Sequence, residues 1–430
     1  MTREGFVCMN LRLTRLHEYL RSSLWLIPSG CLLIAFLLAE VALRIDENLD
    51  QHDTNWFLFG GGADSARAVV GTIATSMLTF TGLVFSVTML VLQLASNQLS
   101  PRVMRTFLRD RASQMVLGVF VGTLLYAMLI LRRITSQTDG TPFIPALSIW
   151  LAMVFVLLSI GLFIFFLHHM AQAIRPVSVM MSVTKETRSA IERLYPEGIG
   201  KSVEIPVPDI VRASGGTVSS PGSGVITGVD EERIATIASD SASIVELRAM
   251  VGDFVREGST LFVVHGQWNS SDDSGLQASV ALGSERIMKQ DAAFGFRQLV
   301  DIANRALSPG INDPTTAVQS LDHIHELLGL LASRSIPSAC REVDGQLSVI
   351  LPRLGWSDYV SLACDEIRRS GHDQIQIQRR LRAMLMDLLQ TVAHPSRRQP
   401  LTEQLELLDA SVDGFKAAEL VRAVTPSSRG

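Results

Sequence analysis

The amino-acid sequence predicts an α-helical membrane domain of four spans, followed by a cytoplasmic α+β domain with a small barrel-sandwich-like β module and a helical C-terminal part. Three observations support this fold class. Four long, largely apolar windows without a charged residue occur before Arg175, and none occurs after it. The charged residues, 19 % of the chain, are concentrated outside these windows. Between residues 210 and 265 the pattern changes to short β-like runs that are separated by glycine and aspartate turns.

The uncharged windows are long enough to cross a lipid bilayer as helices. About 20 apolar residues span the hydrocarbon as a helix, in which the backbone hydrogen bonds are satisfied within the segment. The two longest windows contain 34 and 35 residues, between Arg67 and Arg102 and between Asp139 and Arg175. We place the four spans at Leu24–Leu43, Ala68–Ala95, Gln114–Leu131 and Ile144–Leu167.

Lysine and arginine residues indicate the orientation of the spans, because these residues are enriched in cytoplasmic segments. Eleven of them lie in the N-terminal tail, in the loop between spans two and three, and after span four, whereas the other two loops contain only four. The eleven are Arg3, Arg12, Arg15, Arg21, Arg102, Arg105, Arg109, Arg111, Arg175, Lys185 and Arg188. This imbalance predicts that both termini are cytoplasmic.

Span two carries a regular line of small and polar residues. Its six positions are Thr72, Thr75, Thr79, Gly82, Ser86 and Gln93. At 3.6 residues per turn they fall on one face of a helix. One interpretation is helix packing, because small and hydroxylated residues let helices approach closely and form hydrogen bonds across the contact. The other is a hydrated surface that lines a pathway through an oligomer, and the sequence leaves both open.

The first part of the cytoplasmic domain is predicted to be β-structure. Its β-like runs are Gly224–Val229, Arg233–Ala238, Ile244–Leu247, Asp253–Val255 and Leu261–Val264. Closely spaced short strands with glycine turns are typical of a small barrel or sandwich. The segment Val251–Leu261 also resembles the closing hairpin of biotinyl and lipoyl carrier domains, which carry their cofactor on a lysine. Because no lysine lies between Lys201 and Lys289, the resemblance implies only the architecture, and no cofactor is expected.

Helical patterns follow the β module. We predict a helix from Ser284 to Ala306, which a Ser-Pro-Gly sequence then ends. A second helix is predicted to begin at Asp313 and Pro314, because aspartate caps helices and proline suits the first turn. From Ser357 to Leu420 the pattern is typical of amphipathic helices.

A specific motif lies at the turn between the first two of these helices. The run Ala306–Ala317, preceded by Gln290-Asp291 and Leu299–Ala303, resembles the hallmark of the bacterial predicted membrane proteins called domain of unknown function 2254. The resemblance covers most of the chain and implies a multi-pass protein of the bacterial inner (plasma) membrane, in contact with the lipid bilayer. It implies no activity, because none is established for that family. The motif positions are Arg286, Asp291, Asp301, Arg305, Ser308, Asn312, Asp313 and Pro314.

Three interpretations of this motif remain open. The first is structural, a turn with opposed charges that locks two helices together. The second is an anion site, in which backbone N–H groups near Thr315 and Thr316, together with Arg286 or Arg305, would hold a phosphate. Against this interpretation, the carboxylate of Asp313 would occupy the same helix end. The third is a catalytic centre, which would have carboxylates and arginines but no evident nucleophile.

The predicted domain organisation has six parts. They are a cytoplasmic N-terminal tail (1–23), a four-helix transmembrane domain (24–167), a juxtamembrane helix and linker (168–200), the β module (201–266), a helical cytoplasmic domain (276–423) and a disordered tail (424–430). The boundaries follow the changes from apolar windows to β-like runs and then to helical periodicity.

Several classes of function receive no support from the sequence. A net charge of −4 at pH 7 gives no electrostatic support to nucleic-acid binding. The four cysteines are scattered without a C-x-x-C pair, which argues against a zinc site or a disulfide. His323 and His325 lie two residues apart and would point to different faces of a helix, so no metal site is predicted.

The sequence therefore predicts a non-catalytic homo-oligomer, either a channel or a scaffold, with a regulatory cytoplasmic domain. The identity of its ion or small-molecule ligand is unknown from the sequence. The alternative is a membrane-tethered sensor or enzyme that acts on a phosphorylated small molecule. The polar line of span two supports the first hypothesis, and the motif with its arginines supports the second.

Overall fold

The structure, a computed structural model, describes residues 25–48, 61–98, 111–135, 143–173, 175–196, 198–199, 214–269, 272–343, 346–392 and 394–410. It divides into two compact units, Met1–Arg175 and Pro176–Gly430, and each unit is described by itself. Several predicted segments lie outside the described residues. They are the N-terminal tail 1–23 with Leu24, the loop that contains Arg102, Arg105 and Arg109, residues 201–213 of the β module, and the chain after residue 410.

The first unit consists of four long helices. They are α1 (Leu26–Asn48), α2 (Ala63–Gln98), α3 (Arg111–Arg133) and α4 (Ala146–Ala173). Each is long and apolar enough to cross a membrane, so the four predicted spans are confirmed as apolar helices. Helices α2 and α3 extend beyond the predicted spans at both ends, and α1 and α4 extend beyond them at the C-terminal end only. A charge-free window marks only the part that suits hydrocarbon, whereas the helix continues into polar residues.

Helices α1 and α3 approach each other closely at two glycines of α3. A Cβ atom on Gly118 would lie 2.8 Å from Sγ of Cys31 and 3.1 Å from Cα of Pro28. A Cβ atom on Gly122 would lie 3.3 Å from the carbonyl oxygen of Cys31. The two glycines are four residues apart, a spacing that lets membrane helices pack through their backbones. The close contact of α1 and α3 therefore depends on the absence of side chains at these two positions.

A buried carboxylate of α1 caps the start of α4. The backbone N–H of Leu147 donates to Oδ1 of Asp46 at 2.9 Å, and the backbone N–H of Ser148 donates to Oδ2 at 2.9 Å. The hydroxyl of Ser148 also donates to Oδ2, at 2.6 Å. The hydroxyl of Tyr126 in α3 donates to the carbonyl oxygen of Ser148 at 3.2 Å. Three helices are thus joined at one end of the unit, where the first N–H groups of α4 have no partner within their own helix.

The second unit begins with α5 (Pro176–Leu194) and continues with strands and helices. The strands are β1 (Ser214–Ser219), β2 (Gly224–Val229), β3 (Ile244–Leu247), β4 (Phe254–Val255), β5 (Thr260–His265), β6 (Val280–Gly283), β7 (Cys340–Val343) and β8 (Gln346–Ile350). The helices are α6 (Glu231–Asp240), α7 (Asp273–Ala278), α8 (Ala292–Ala306), α9 (Pro314–Ala332), α10 (Trp356–Ser370), α11 (Ile375–Thr391) and α12 (Pro395–Ala410). This part of the chain has the predicted α+β character.

Two sheets share one apolar core. The larger has the order β1-β5-β3-β8-β7, in which only β3 and β8 run parallel. The smaller has the order β4-β2-β6 and is antiparallel. Ile226 of the smaller sheet and Val245, Phe262 and Val349 of the larger sheet are all buried in this core. The predicted barrel-sandwich architecture stays a prediction.

Two predicted elements of the second unit are wrong. Residues 233–238, predicted as a strand, belong to helix α6. Asp230 caps this helix by accepting a hydrogen bond from N of Arg233 at 3.1 Å, and two glutamates in the first turn favour a helix start. The helix predicted to begin at Ser284 begins at Ala292, because the cap is Asp291 rather than the serine.

The part predicted to be helical, 276–423, also contains three strands, β6, β7 and β8. Strands β7 and β8 form a hairpin, and β8 pairs with β3, where Val349 lies opposite Val245. The larger sheet therefore joins residues from both the predicted β module and the predicted helical domain. The hydrophobic periodicity of one segment does not indicate with which distant strand that segment pairs.

Helices α5 and α8 are in direct backbone-to-side-chain contact. A Cβ atom on Gly295 of α8 would lie 1.9 Å from Oγ1 of Thr187 in α5. Thr187 is buried, and its hydroxyl donates to the carbonyl oxygen of Val183 at 2.6 Å. The two helices can approach this closely only because residue 295 has no side chain. This contact holds α5 against the start of α8.

Candidate functional site

The line of polar residues in α2 lies on an exposed face of the first unit. All six positions are exposed, namely Thr72, Thr75, Thr79, Gly82, Ser86 and Gln93. The buried face of α2 contains Val70, Met77, Val84 and Val91. At about 100° per residue, this buried face lies roughly opposite the polar line. Among the described residues of the unit, no helix covers the line.

The hydroxyl groups on this line already act as hydrogen-bond donors within α2. Thr72, Thr79 and Ser86 each donate to the carbonyl oxygen four residues earlier, at 2.7, 3.0 and 2.9 Å. This bond satisfies the hydroxyl hydrogen within the helix. A hydroxyl oxygen keeps lone pairs after it has donated its hydrogen. These three hydroxyl groups therefore present oxygen acceptors rather than free donors.

The motif residues Arg286 and Asp291 meet at the start of α8. Nε and Nη2 of Arg286 both lie 2.8 Å from Oδ2 of Asp291. Oδ1 of Asp291 accepts a hydrogen bond from N of Phe294 at 3.0 Å and so caps the helix. Burial raises the pKa of the Asp291 carboxyl above its ordinary value, while the adjacent guanidinium opposes this shift. The Arg286 guanidinium also lies over the Phe294 ring, 5.3 Å from its centre.

Gly252 and Gln290 bring neighbouring backbone segments close to this ion pair. Gly252 has a φ of +99°, which favours glycine, and a Cβ atom there would lie 2.6 Å from Oδ2 of Asp291. The same Cβ atom would lie 2.8 Å from Nε of Arg286. The side-chain amide of Gln290 accepts from N of Val229 at 2.7 Å and donates to its carbonyl oxygen at 3.2 Å. The start of α8 is thus fastened to β2.

Asp301 belongs to a different cluster on α8. Nε of Arg297 donates to Oδ1 of Asp301 at 2.8 Å, and Nη2 of Arg297 donates to Oε2 of Glu366 in α10 at 2.8 Å. Nδ2 of Asn304 donates to the same Glu366 oxygen at 2.8 Å. The hydrogen bond to Glu366 is the main cause that raises the pKa of Arg297. This cluster ties α8 to α10.

The motif residues Ser308–Pro314 form the turn between α8 and α9. The backbone N–H of Asp313 donates to the carbonyl oxygen of Ala306 at 2.8 Å, which joins the two helix ends. Asn312 adopts a left-handed conformation with a φ of +49°, which asparagine tolerates. Oδ1 of Asp313 accepts from N of Thr316 at 3.1 Å, so the predicted helix start is confirmed. Hydrogen bonds from Thr316, that of its hydroxyl first, lower the pKa of the Asp313 carboxyl.

The structure does not bring the motif residues into one pocket. Arg286 and Asp291 lie at one end of the 15-residue helix α8, and the turn lies beyond its other end, about 20 Å away. Arg305 is exposed near the turn. The N–H group of Thr316 already donates to Asp313, so a phosphate at this helix start would have to displace a carboxylate. The anion-binding and catalytic interpretations stay predictions.

A cleft of about 330 Å³ opens at the start of α8. Its volume lies within the range of small-molecule pockets, at the lower end. Leu194, Leu247 and Leu354 contribute to its apolar walls. Its charged lining consists of Glu231, Asp253, Arg286, Asp291, Arg353 and Asp358. Two of the motif residues therefore form part of a cavity that brings together α5, α8, α10 and the strand connections.

Two tyrosine hydroxyls meet in this cleft. Tyr195 follows α5 and Tyr359 lies in α10, and their hydroxyl oxygens are 2.9 Å apart in a buried hydrogen bond. Burial raises the pKa of both phenols, that of Tyr359 well above its ordinary value of 10.0, so both are protonated at neutral pH. One hydroxyl donates to the other. The second hydroxyl therefore keeps a hydrogen that is available to another acceptor.

Arg353 also lines the cleft and has an unused N–H donor. Nη2 of Arg353 donates to Oε1 of Glu231 at 2.6 Å. Nε of Arg353 is buried and has no hydrogen-bond partner within the described part of the chain. Most buried polar groups are hydrogen-bonded in folded proteins. A ligand with an acceptor atom would supply the missing partner.

Sequence reasoning did not identify this cleft, because its components are distant along the chain. Tyr195 and Tyr359 are 164 residues apart, and Glu231 and Arg353 are 122 residues apart. No local spacing connects such residues. Asp291, a polar residue directly before an apolar helical pattern, is a local indication of the site. The sequence pattern, however, predicts that the helix begins at Ser284.

His325 of α9 lies in an ion-pair network. Nε2 of His325 is 2.9 Å from Oδ2 of Asp387, and its Nδ1 is 3.0 Å from Nη2 of Arg380. These contacts join α9 to α11. Within the residues that the structure describes, no group of three His, Cys, Asp or Glu side chains is placed to hold a metal ion.

The chain is similar to membrane proteins without an assigned activity. A family model described as "Predicted membrane protein (DUF2254)" matches residues 21–387. Similar proteins include an uncharacterized protein of Mycobacterium bovis and one of Mycobacterium tuberculosis. Each is 32 % identical over 421 residues, which cover 95 % of this chain and 79 % of the relative. No solved structure matches the chain.

Proposed function

The chain belongs to the family of predicted membrane proteins called domain of unknown function 2254. From the exposed polar line of α2 we propose that it forms a homo-oligomeric channel for cations in a bacterial inner membrane. In this proposal the lines of polar residues on α2 from several copies surround the pathway. The second unit lies in the cytoplasm together with both termini and regulates the channel.

The exposure of the polar line in α2 is the observation that supports this proposal. The line lies opposite the buried face of α2, and its six residues are exposed within their own unit. A second copy of the chain would cover it. Polar groups that line a pathway between helices remain in contact with water, whereas the same groups in a monomer would face lipid.

The chemistry of the line favours cations over anions. Thr72, Thr79 and Ser86 have used their hydroxyl hydrogens within the helix and present oxygen lone pairs. Oxygen ligands replace the water around a cation in selectivity filters. Acidic or basic side chains do not occur between Arg67 and Arg102, so the proposed pathway depends on neutral oxygen atoms.

Flux measurements with the full-length chain in liposomes test this function. We expect vesicles loaded with K⁺ to release it when they contain the natural chain. Replacing Thr79 and Ser86 together by leucine should reduce the rate at least tenfold, because bulky apolar side chains would remove the oxygen atoms and narrow the pathway.

Two control variants separate the pathway from general damage to α2. Exchanging the hydroxyl residues, as Thr79→Ser with Ser86→Thr, keeps the oxygen atoms and should preserve the flux. Phe85→Leu changes an exposed residue that lies off the line and should also preserve it. No flux from the natural chain, or equal flux from the double leucine variant, would contradict the channel and leave an oligomeric scaffold.

A second candidate function rests on a separate observation, the cleft of the second unit. We propose that the cleft binds a small molecule and makes the second unit a sensor. Its support is the meeting of unused donors, a buried carboxylate with a raised pKa and apolar walls in one cavity. The alternative predicted from the sequence, a membrane-tethered sensor or enzyme that acts on a phosphorylated molecule through residues 286–316, stays a prediction.

A further inference from the structure

We propose that the ligand of the cleft is a small organic cation, which carries an ammonium group together with a hydrogen-bond acceptor. This inference rests on the second function proposed above, the binding of a small molecule in the cleft. It names the chemistry of that molecule, which the sequence and the family leave open.

The net negative charge of the residues that line the cleft favours a cation as the ligand. Four of its six charged residues form two ion pairs, Arg286 with Asp291 and Arg353 with Glu231. The remaining two, Asp253 and Asp358, are both carboxylates, so the lining has an excess of two negative charges. A cavity lined by one sign of charge attracts ligands of the opposite sign.

The two remaining carboxylates lie where an incoming molecule would meet them. Asp253 and Asp358 are exposed, whereas Asp291 is buried. Oδ2 of Asp253 accepts from N of Met250 at 2.8 Å, and Oδ2 of Asp358 accepts from N of Gly355 at 2.7 Å. These bonds fix the carboxylates without neutralising them. In the described parts of the chain neither has a basic side chain within ion-pair distance, so an ammonium group would supply the missing partner.

The inner part of the cleft requires an acceptor. The hydroxyl pair of Tyr195 and Tyr359, which both line the cleft, has one hydrogen left. A buried donor without an acceptor is unfavourable, and a ligand oxygen would satisfy it. Ammonium groups have no acceptor atom, so the ligand must contain a second polar group, such as a hydroxyl.

The volume and the apolar walls of the cleft limit the size and the polarity of the rest of the ligand. A cavity of about 330 Å³ has room for about ten non-hydrogen atoms if each takes the volume of a water molecule, about 30 Å³. Leu194, Leu247 and Leu354 provide apolar contacts. The ligand class is therefore a short amino alcohol with a small apolar body.

Calorimetric titration of the full-length chain in detergent micelles tests this inference with three probes of similar size. Valinol carries an ammonium group, a hydroxyl and a branched apolar body. Isovalerate has a similar apolar body with a negative charge, and inorganic phosphate tests the anion alternative. We expect saturable binding of valinol, with at least tenfold weaker binding of isovalerate and of phosphate.

Variants of the cleft residues test whether these residues bind valinol. Replacing Asp253 and Asp358 together by asparagine should weaken valinol binding at least tenfold, and Tyr359→Phe should weaken it about threefold. Glu232→Gln removes the same charge from the exposed side of α6 outside the cleft and should leave the affinity unchanged. Tight binding of isovalerate or phosphate without valinol would overturn the cation and keep the sensor function. Binding of no probe would overturn both, and equal affinity of the double asparagine variant would overturn the assigned carboxylates.

Discussion

Replacing Gly295 by alanine should lower the free energy of unfolding of the second unit by about 3 kcal/mol, the cost of overpacking a tightly filled contact. The added Cβ atom would lie 1.9 Å from Oγ1 of Thr187 and 2.7 Å from its Cγ2. Rotation of the Thr187 side chain does not relieve this clash, because its Cβ would also lie 2.8 Å from the added atom. Helices α5 and α8 would therefore have to move apart. Thermal and denaturant unfolding of the full-length chain in micelles, followed by circular dichroism, measures the change.

Two further variants show whether the loss arises from this contact. Adding Thr187→Ala to Gly295→Ala removes the two closest atoms and should recover at least about 1 kcal/mol, since directly contacting residues are energetically coupled. Gly310→Ala changes a glycine around which no atom would lie within 4 Å of the new Cβ, so its effect should stay within about 0.5 kcal/mol. Equal losses for Gly295→Ala and Gly310→Ala would mean that α5 does not lie against α8.

Replacing Asp46 by alanine should lower the free energy of unfolding of the first unit by about 3 kcal/mol, because buried donors would lose their acceptor. The carboxylate accepts three hydrogen bonds from the start of α4. Asp46 is buried, so water does not readily take the place of its carboxylate. The variant should therefore unfold at a lower temperature in micelles and lose protection against protease at the start of α4.

The neighbouring residue Glu47 provides the matched control. Glu47 is exposed, and its carboxylate lies 3.6 Å from Nη1 of Arg133 with both side chains about half exposed. Exposed ion pairs contribute between about 0 and 1 kcal/mol. Glu47→Ala should therefore change the stability much less than Asp46→Ala. If the two variants behave alike, Asp46 does not cap α4.

The membrane unit was largely predictable from the sequence, because the relevant signal is local and strong. A window of 34 or 35 residues without charge has few alternatives to a transmembrane helix. The cap at Asp313 was also predictable, since aspartate and proline act on the residues that follow them directly. Neither prediction needed knowledge of residues elsewhere in the chain.

The long-range contacts could not be predicted from the same patterns. Asp46 lies 102 residues from Ser148, and Tyr195 lies 164 residues from Tyr359. An aspartate at the end of an apolar window resembles any other loop residue until the partner helix is placed beside it. Periodicity describes which face of an element is apolar, and it does not identify the element that this face contacts.

The error at α6 has a different cause, a competition between two local signals. Residues 233–238 contain two isoleucines and a threonine, which favour strands. Directly before them, Asp230 and two glutamates form a helix start, and the cap determines the outcome. The error at Ser284 is similar, because serine and Asp291 are both competent caps and the segment between them forms no helix.

Disulfide cross-linking in native membranes is the most direct test of the central claim that the polar line of α2 contacts a second copy of the chain. Thr79→Cys and Ser86→Cys each place a thiol on the line, and Phe85→Cys places one on the exposed surface off the line. With the natural cysteines as background, mild oxidation should convert the first two variants to covalent dimers and leave the third at the background yield. Equal yields at all three positions, or none at residues 79 and 86, would contradict an assembly through this face.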